Sequence, residues 1–261
     1  MTLRVAAGTI VAMPPITIRH ARALADLTAV SQLQARIWQS QDMAAPASLL
    51  RAIGDSGGII LLAARGAEPV GFCFGFTGRT AAGVDYHRSH AAGVVPSAQG
   101  LGIGRRLKRA QRRAALALGL TRMVWTFDPV QVRNAHFNLR RLGGIARGYH
   151  RDYYGPRVDA FNGGLPSDRL VVEWFLGESA PAELVALRRA AAGGAAAQIA
   201  VPVGLRQLAT ADPPAARRAH RRLRRELRVA LDRGLAVVDF DAERSAYRLA
   251  PLPASGLPAP P

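Results

Sequence analysis

The chain has 261 residues, enough for one large domain or a domain with an appendage around a sizeable core. Nearly half of it is apolar, which excludes a disordered chain, and a single cysteine excludes an internal disulfide and fits a reducing cytoplasm. The formal net charge of +17 leaves nucleic acid, a membrane surface and an anionic substrate as partner classes, although no apolar run approaches the roughly 18 residues that span a bilayer.

In chain order, residues 1–15 read as an extension; the weakly apolar stretch after Arg4 ends at Met13-Pro14-Pro15 without a signal-like core, and Met13 is an alternative start. Residues 16–19 predict a strand, and 21–39 a helix with Leu27, Val30, Leu33 and Ile37 facing inward. Pro46 opens a short helix over 46–53. Residues 59–64 and 70–76 read as an antiparallel pair around Gly66-Ala67-Glu68, with Cys73 as a buried packing thiol. A strand carrying 87–95 ends at Pro96, and an amphipathic helix covers 105–118. Another apolar strand, 123–127, closes at Asp128-Pro129; a helix with Phe137, Leu139 and Leu142 then stops at Gly143-Gly144. Residues 170–176 read as the last strand of a domain over 16–177.

A composition shift follows. Residues 178–198 read as a helix and linker, with a low-complexity run at 190–197. Residues 199–250 predict a small α+β appendage: an apolar segment at 199–205, an arginine-rich helix, and a closing hairpin of 236–240 and 245–249. The Pro/Ala-rich 251–261 reads as a flexible tail. Lys108 is the sole lysine, and the arginine, Ala, Gly and Pro content reads as the bias of a GC-rich genome. The densest basic run, Arg217 to Arg228, interleaves with Ala216, Ala219, Leu223, Leu227 and Leu231 at helical spacing, so a buried stripe with a solvated arginine face explains it. Apart from His220 nothing there could stack on bases, which counts against nucleic acid.

The most informative stretch is Gln99-Gly100-Leu101-Gly102-Ile103-Gly104, between the strand that ends at Pro96 and a basic helix. Strand, glycine turn and helix together aim free first-turn amides and the positive end of a helix dipole at one spot. A dinucleotide fingerprint would need Gly-x-Gly-x-x-Gly and an acid about 20 residues on, and a Walker loop would need Gly-Lys-Ser/Thr; neither is present. A plain turn is the remaining alternative on this loop alone. The spacing resembles the Arg/Gln-x-x-Gly-x-Gly/Ala signature of the GCN5-related N-acetyltransferases (GNAT). Asn134-x-x-Phe137-x-Leu139-x-x-Leu142-Gly143 resembles that family's second motif. Ser89-His90, Thr126-Phe127-Asp128-Pro129, Arg133 to Asn138, Tyr153-Tyr154-Gly155 and Gly164 to Arg169 resemble a longer bacterial branch of it, over most of 16–250.

The resemblance implies an α/β fold with a mixed central sheet flanked by helices, and acetyl-CoA or another acyl-CoA as co-substrate. It places the pyrophosphate on the amides of Gly100, Leu101, Gly102, Ile103 and Gly104, with Gln99 in the signature. Arg105, Arg106 or Lys108 would add charge toward the nucleotide phosphates, or would be ordinary helix-surface cations. It further implies that Val94 and Val95 pair with the pantetheine, that a strand bulge near Gly93 or Val94 frees an oxyanion-binding amide, and that Asn134 reaches the pantetheine. Some members of the branch acylate amino acids, succinyl transfer included.

Acyl transfer to an amine also needs proton handling. His90, on the strand leading to the thioester, is the first candidate base, with a pocket-shaping histidine as the alternative; His87 and Asp85 are weaker. The family's acidic tyrosine is replaced by Leu139, leaving Tyr149, Tyr153 or Tyr154 as substitutes, or an unassisted thiolate. Asp128, Asp152, Asp159 and Asp168 with Arg133, Arg147 and Arg169 could recognise a zwitterion, or are solvated loop charges. No metal-ligand spacing occurs, so no metal is expected. The expectation is a cytoplasmic N-acyltransferase acting on a small-molecule amine, an amino acid among the options, with a homo-oligomer allowed. A non-catalytic acyl-CoA-binding or regulatory module and, behind it, a nucleic-acid-binding protein are the alternatives.

Overall fold

A computed structural model describes residues 14–155, 164–177, 184–187 and 197–252. The expected extension over residues 1–13, most of the expected linker, Asp159 and the tail from residue 253 lie outside these described residues. Strand β1 (Ile16–His20) leads into α1 (Leu24–Trp38) and α2 (Ala47–Asp55). Helix α1 buries Leu27, Val30 and Leu33, the spacing of one helical face. Strands β2 (Ile59–Arg65), β3 (Glu68–Arg79) and β4 (Asp85–Val94) follow; β2 is buried through six successive residues, as expected of a strand covered on both faces.

Helix α3 (Ile103–Ala117) crosses over to β5 (Arg122–Phe127). The short α4 (Val132–Ala135) continues as a π-helical turn over His136–Arg141. Then come β6 (Ile145–His150), β7 (Arg169–Phe175), β8 (Ala197–Ala200), α5 (Leu205–Ala211), α6 (Pro213–Asp232), β9 (Leu235–Asp241) and β10 (Ala246–Pro251). The strands form one sheet in the order β1-β2-β3-β4-β5-β7-β6-β9-β10-β8. Only β4 and β5 run parallel, and their register covers just His87↔Met123 and Arg88↔Val124. From Ser89 to Val94 the β5-facing edge of β4 is therefore unpaired, which opens a wedge between the two strands.

Two sequence expectations change. Strand β6 was not anticipated, because Ile145-Ala146-Arg147-Gly148-Tyr149-His150 is interrupted at Gly148, where its register with β7 shifts. The C-terminal appendage, expected as a small α+β unit over 199–250, shares the sheet of the domain before it: β9 joins β6 at Ala146↔Val237 and continues that sheet. The buried Tyr247 donates its hydroxyl to the Pro129 carbonyl at 2.6 Å, and Arg224 of α6 grips Asp168 through two bonds of 2.6 and 2.7 Å. Helix α6 buries Ala216, His220, Leu223, Leu227 and Ala230, so its stripe is inward as read and its arginine face is not wholly solvated.

Candidate active site

The glycine turn presents open space and free backbone amides together, a cradle geometry that an anion could use. Gly100 and Gly102 have φ of +82° and +73°, and a Cβ on either would meet no protein atom within 4 Å, so their open side is free for a ligand. Gly102 caps α3, and the first helical bond runs from the Arg106 amide to its carbonyl, leaving the amides of Ile103, Gly104 and Arg105 without helical partners. The Phe137 ring packs at 3.7 Å from where a Gly104 Cβ would stand. The Gln99 amide nitrogen donates to the Val94 carbonyl at 3.0 Å while its oxygen accepts from Arg133 at 3.1 Å. Loop and α4 thereby flank the wide end of the wedge, with exposed Asn134 beside Arg133.

The wall of the wedge follows from the β4 ladder. The Val95 amide donates to Val70 at 3.0 Å, and its carbonyl accepts from Ala98 at 2.9 Å. Strand alternation then turns the amides of Gly93 and Ala91 toward β3 and those of Ala92 and Val94 toward the wedge. This corrects two expectations. Val95 is fully engaged within the chain, and the Gly93 amide faces β3 rather than the cleft; the Val94 amide faces the cleft. The bulge lies further back: Ala91 pairs with Phe74 and Ser89 with Gly75, leaving His90 as the extra residue. Opposite it, a Cβ on Gly75 would lie 2.2 Å from the Arg88 carbonyl oxygen, so no side chain fits there.

The bulge puts His90 on the α1 face, against Phe74 and Phe76 with centroids at 5.3 and 6.0 Å. Their cover and then the charge of Arg88 hold its pKa below the ordinary histidine value, which favours the neutral imidazole at pH 7. Arg88 donates to the Tyr153 hydroxyl at 3.1 Å, and the Tyr153 ring stands against His150 and Tyr154 at 5.0 and 4.8 Å. The structure thus brings His90, Tyr153 and Tyr154, which sequence proposed separately, to one rim through Arg88, which sequence reasoning missed. Arg169 lies over the Tyr154 ring at 4.9 Å.

The other candidates disperse. His87 is buried on the α3 face, its pKa lowered to about 3 by burial and then by Lys108, and Asp85 pairs with Arg79 at 2.7 Å. Tyr149 donates its hydroxyl to Asp168, and burial followed by that carboxylate raises its pKa, so it is no acid. Asp168 is committed to Arg224 and Arg147 to Glu173, so these two charges are not left for a zwitterion, and Asp159 lies outside the described residues. Arg105 remains exposed on the first turn of α3, whereas Arg106 donates to the Ile16 carbonyl at 2.7 Å. Lys108 is not near the cradle's open side either. It is buried against β4 and β5. Leu139 is buried in the core. Among the described residues no cluster could hold a metal ion.

Residues 27–143 match the family model described as the acetyltransferase (GNAT) family. Three solved structures share the fold. A ribosomal-protein-S18-alanine N-acetyltransferase from Escherichia coli is 14% identical, covering 64% of this chain and 98% of its own, with a TM-score of 0.50. A phosphinothricin acetyltransferase from Sinorhizobium meliloti in complex with acetyl-CoA is 19% identical, over 63% of this chain and 90% of its own, also at 0.50. A Salmonella typhimurium protein with its cofactor acetyl-CoA is 20% identical, over 63% and 96%, at 0.50. No curated protein sequence matches the chain.

Proposed function

We propose that this chain, whose residues 27–143 match the GNAT acetyltransferase family model, is an acyltransferase that moves an acetyl or succinyl group from CoA to the amine of a small molecule, an amino acid being the favoured class. The observation that carries the reading is the wedge: an unpaired β4 edge that runs from the glycine cradle to a bulge at His90. The cradle amides and Arg105 fit a pyrophosphate, and the Val94 amide and exposed Asn134 fit a pantetheine. Two of the three structural relatives hold acetyl-CoA, which supports the same donor here.

Acyl-CoA supplies an activated acyl carbon and a thiol leaving group. The chain's own residues do the rest. His90 is placed to take the proton that the attacking amine must shed. The amides around the bulge are suited to the charge that develops on the acyl oxygen. Arg88 projects from the same face as His90 and is in no ion pair among the described residues, so an acceptor carboxylate has a cation ready two residues from the base. That is why an amino acid fits better than a polyamine.

Thiol release from acetyl-CoA and succinyl-CoA, measured against amino acids and polyamines, tests this. Release with amino acids supports the reading. CoA binding with no release for any amine would make the chain a silent acyl-CoA binder, and no CoA binding would remove the donor altogether.

A further inference from the structure

Lys108 is the one lysine in a chain that otherwise uses arginine for every basic side chain, and it is buried. Its ammonium donates to the Ser89 hydroxyl at 2.8 Å and reaches the Gln111 side-chain oxygen at 3.4 Å. It also lies 3.9 Å from the centroid of the Trp125 ring, whose N–H is held by Asn138 at 3.1 Å. No carboxylate pairs with it among the described residues. Burying an unpaired ammonium costs several kcal/mol, and arginine or an apolar residue would avoid part of that cost.

Its place in the fold gives the reason. Pairing between β4 and β5 ends at Arg88↔Val124, so Ser89 and Trp125 are the first unpaired residues of the two strands. They form the apex of the wedge, and Lys108 touches both. From Val94 to Ser89 the open edge spans about 17 Å of strand, with the cradle at one end and this ammonium at the other. His90 stands next to the apex on the opposite face of the sheet.

We propose that Lys108 is the acid of the acyl transfer, giving its proton to the CoA sulfur as the C–S bond breaks. The proposal rests on the acyl-CoA reading above. The amine, as its free base, forms the C–N bond; the C–S electron pair stays on sulfur; His90 takes the second amine proton. Lys108 protonates the sulfur, and solvent carries the proton from His90 back to Lys108, so one proton is released per ammonium acylated. The absent tyrosine at Leu139 is thereby replaced from a different helix of the same side of the sheet.

The electrostatics agree. Burial lowers the Lys108 pKa to about 8, into the range near a cysteine thiol's at about 8.5, so the ammonium can give up its proton close to neutral pH. The groups facing it do not titrate in that range. His87 of β4 is held to about 3 and stays neutral, and burial lifts the Cys73 thiol of β3 to about 12. Ser89, Gln111 and Trp125 carry no charge. Arginine could not serve, because it does not give up a proton in this range.

The test combines a spectroscopic readout with turnover. In the wild-type complex with CoA, the bound thiol, followed by its thiolate ultraviolet absorbance, should titrate at least tenfold more readily than free CoA; burial lifts the Cys73 thiol to about 12, above the range of this titration. Lys108→Met should return the bound thiol to its solution value, lower turnover roughly 100-fold, and abolish the fall in rate above about pH 8. Lys108→Arg should keep the thiol shift but lose the alkaline limb, and it also reports if the Met variant fails to fold. An unshifted thiol in wild type, or near-normal turnover with an intact alkaline limb in either variant, overturns the proposal. Failure of wild type to bind CoA would instead overturn the acyl-CoA reading.

Discussion

At the scale of residues the proposed chemistry rests on His90 of β4 and Lys108 of α3, which lie on opposite faces of the sheet. If His90 is the base, His90→Ala should lower turnover by roughly 100-fold while leaving CoA affinity unchanged. Its pKa is lowered, so the active neutral form persists below the usual histidine range, and the rate should fall only as pH drops through a midpoint under 6.5. His90→Gln should erase that acidic limb in a pH–rate profile, and a persisting limb would assign His90 a shaping role. Asn134 is exposed beside the loop-anchoring Arg133, and Asn134→Ala should weaken CoA by about 1 kcal/mol, the net worth of one neutral hydrogen bond, in calorimetry. A change in stability alone would make it a helix-capping residue.

Elements matter through how they meet. The cradle needs left-handed backbone at Gly102, and Gly102→Asp would bring a carboxylate into the space that an anion must enter. CoA affinity should collapse while the fold survives with only a modest drop in thermal stability, because aspartate enters this strained left-handed region more readily than most side chains. The β6–β7 connection is pinned to α6 by Asp168. Burial alone would raise the pKa of its carboxylate, but the bonds from Arg224, Tyr149 and the Asp152 amide outweigh it and bring the value below that of an ordinary aspartate. A depressed folded pKa means stabilisation that is present at neutral pH and lost as pH falls through that lowered value. Asp168→Asn leaves a largely buried guanidinium unpaired and should cost about 3–5 kcal/mol at pH 7. Urea unfolding should show the variant and wild type converging in acid.

For the whole molecule, the sheet runs unbroken from β1 to β8, so the C-terminal strands complete the fold on which the site rests. Removing residues 197–261 would expose the β6 edge at Ala146, strip Asp168 of Arg224 and free the Pro129 carbonyl that Tyr247 holds. We expect the truncated chain to lose cooperative unfolding in calorimetry, whereas the full chain should unfold in one transition. A stable, CoA-binding 1–196 fragment would show the C-terminal unit to be dispensable. The net charge of +17 is spread over arginines that have structural duties, such as Arg224, Arg147 and Arg122, and over exposed helix faces.

The amino-acid sequence by itself determined the glycine turn and the order of β4, α3, β5 and α4, because glycine spacing and apolar periodicity are local signals that survive without neighbours; the candidacy of His90 came from its ionisation range and the family resemblance. It also marked Lys108 as the sole lysine, yet nothing local distinguished that residue from a surface cation. Tertiary structure decided the rest. The bulge falls at His90 because Gly75 lies across the ladder, and Val95 is unavailable because Val70 and Ala98 already bond it. Strand β6 and the attachment of the C-terminal unit depend on edge pairing at Ala146↔Val237, a contact between residues 91 positions apart. Burial of Lys108 needs α3, β4 and β5 together, since the pKa of an ammonium is set by the water it loses and the charges it meets, and both are properties of the assembled core.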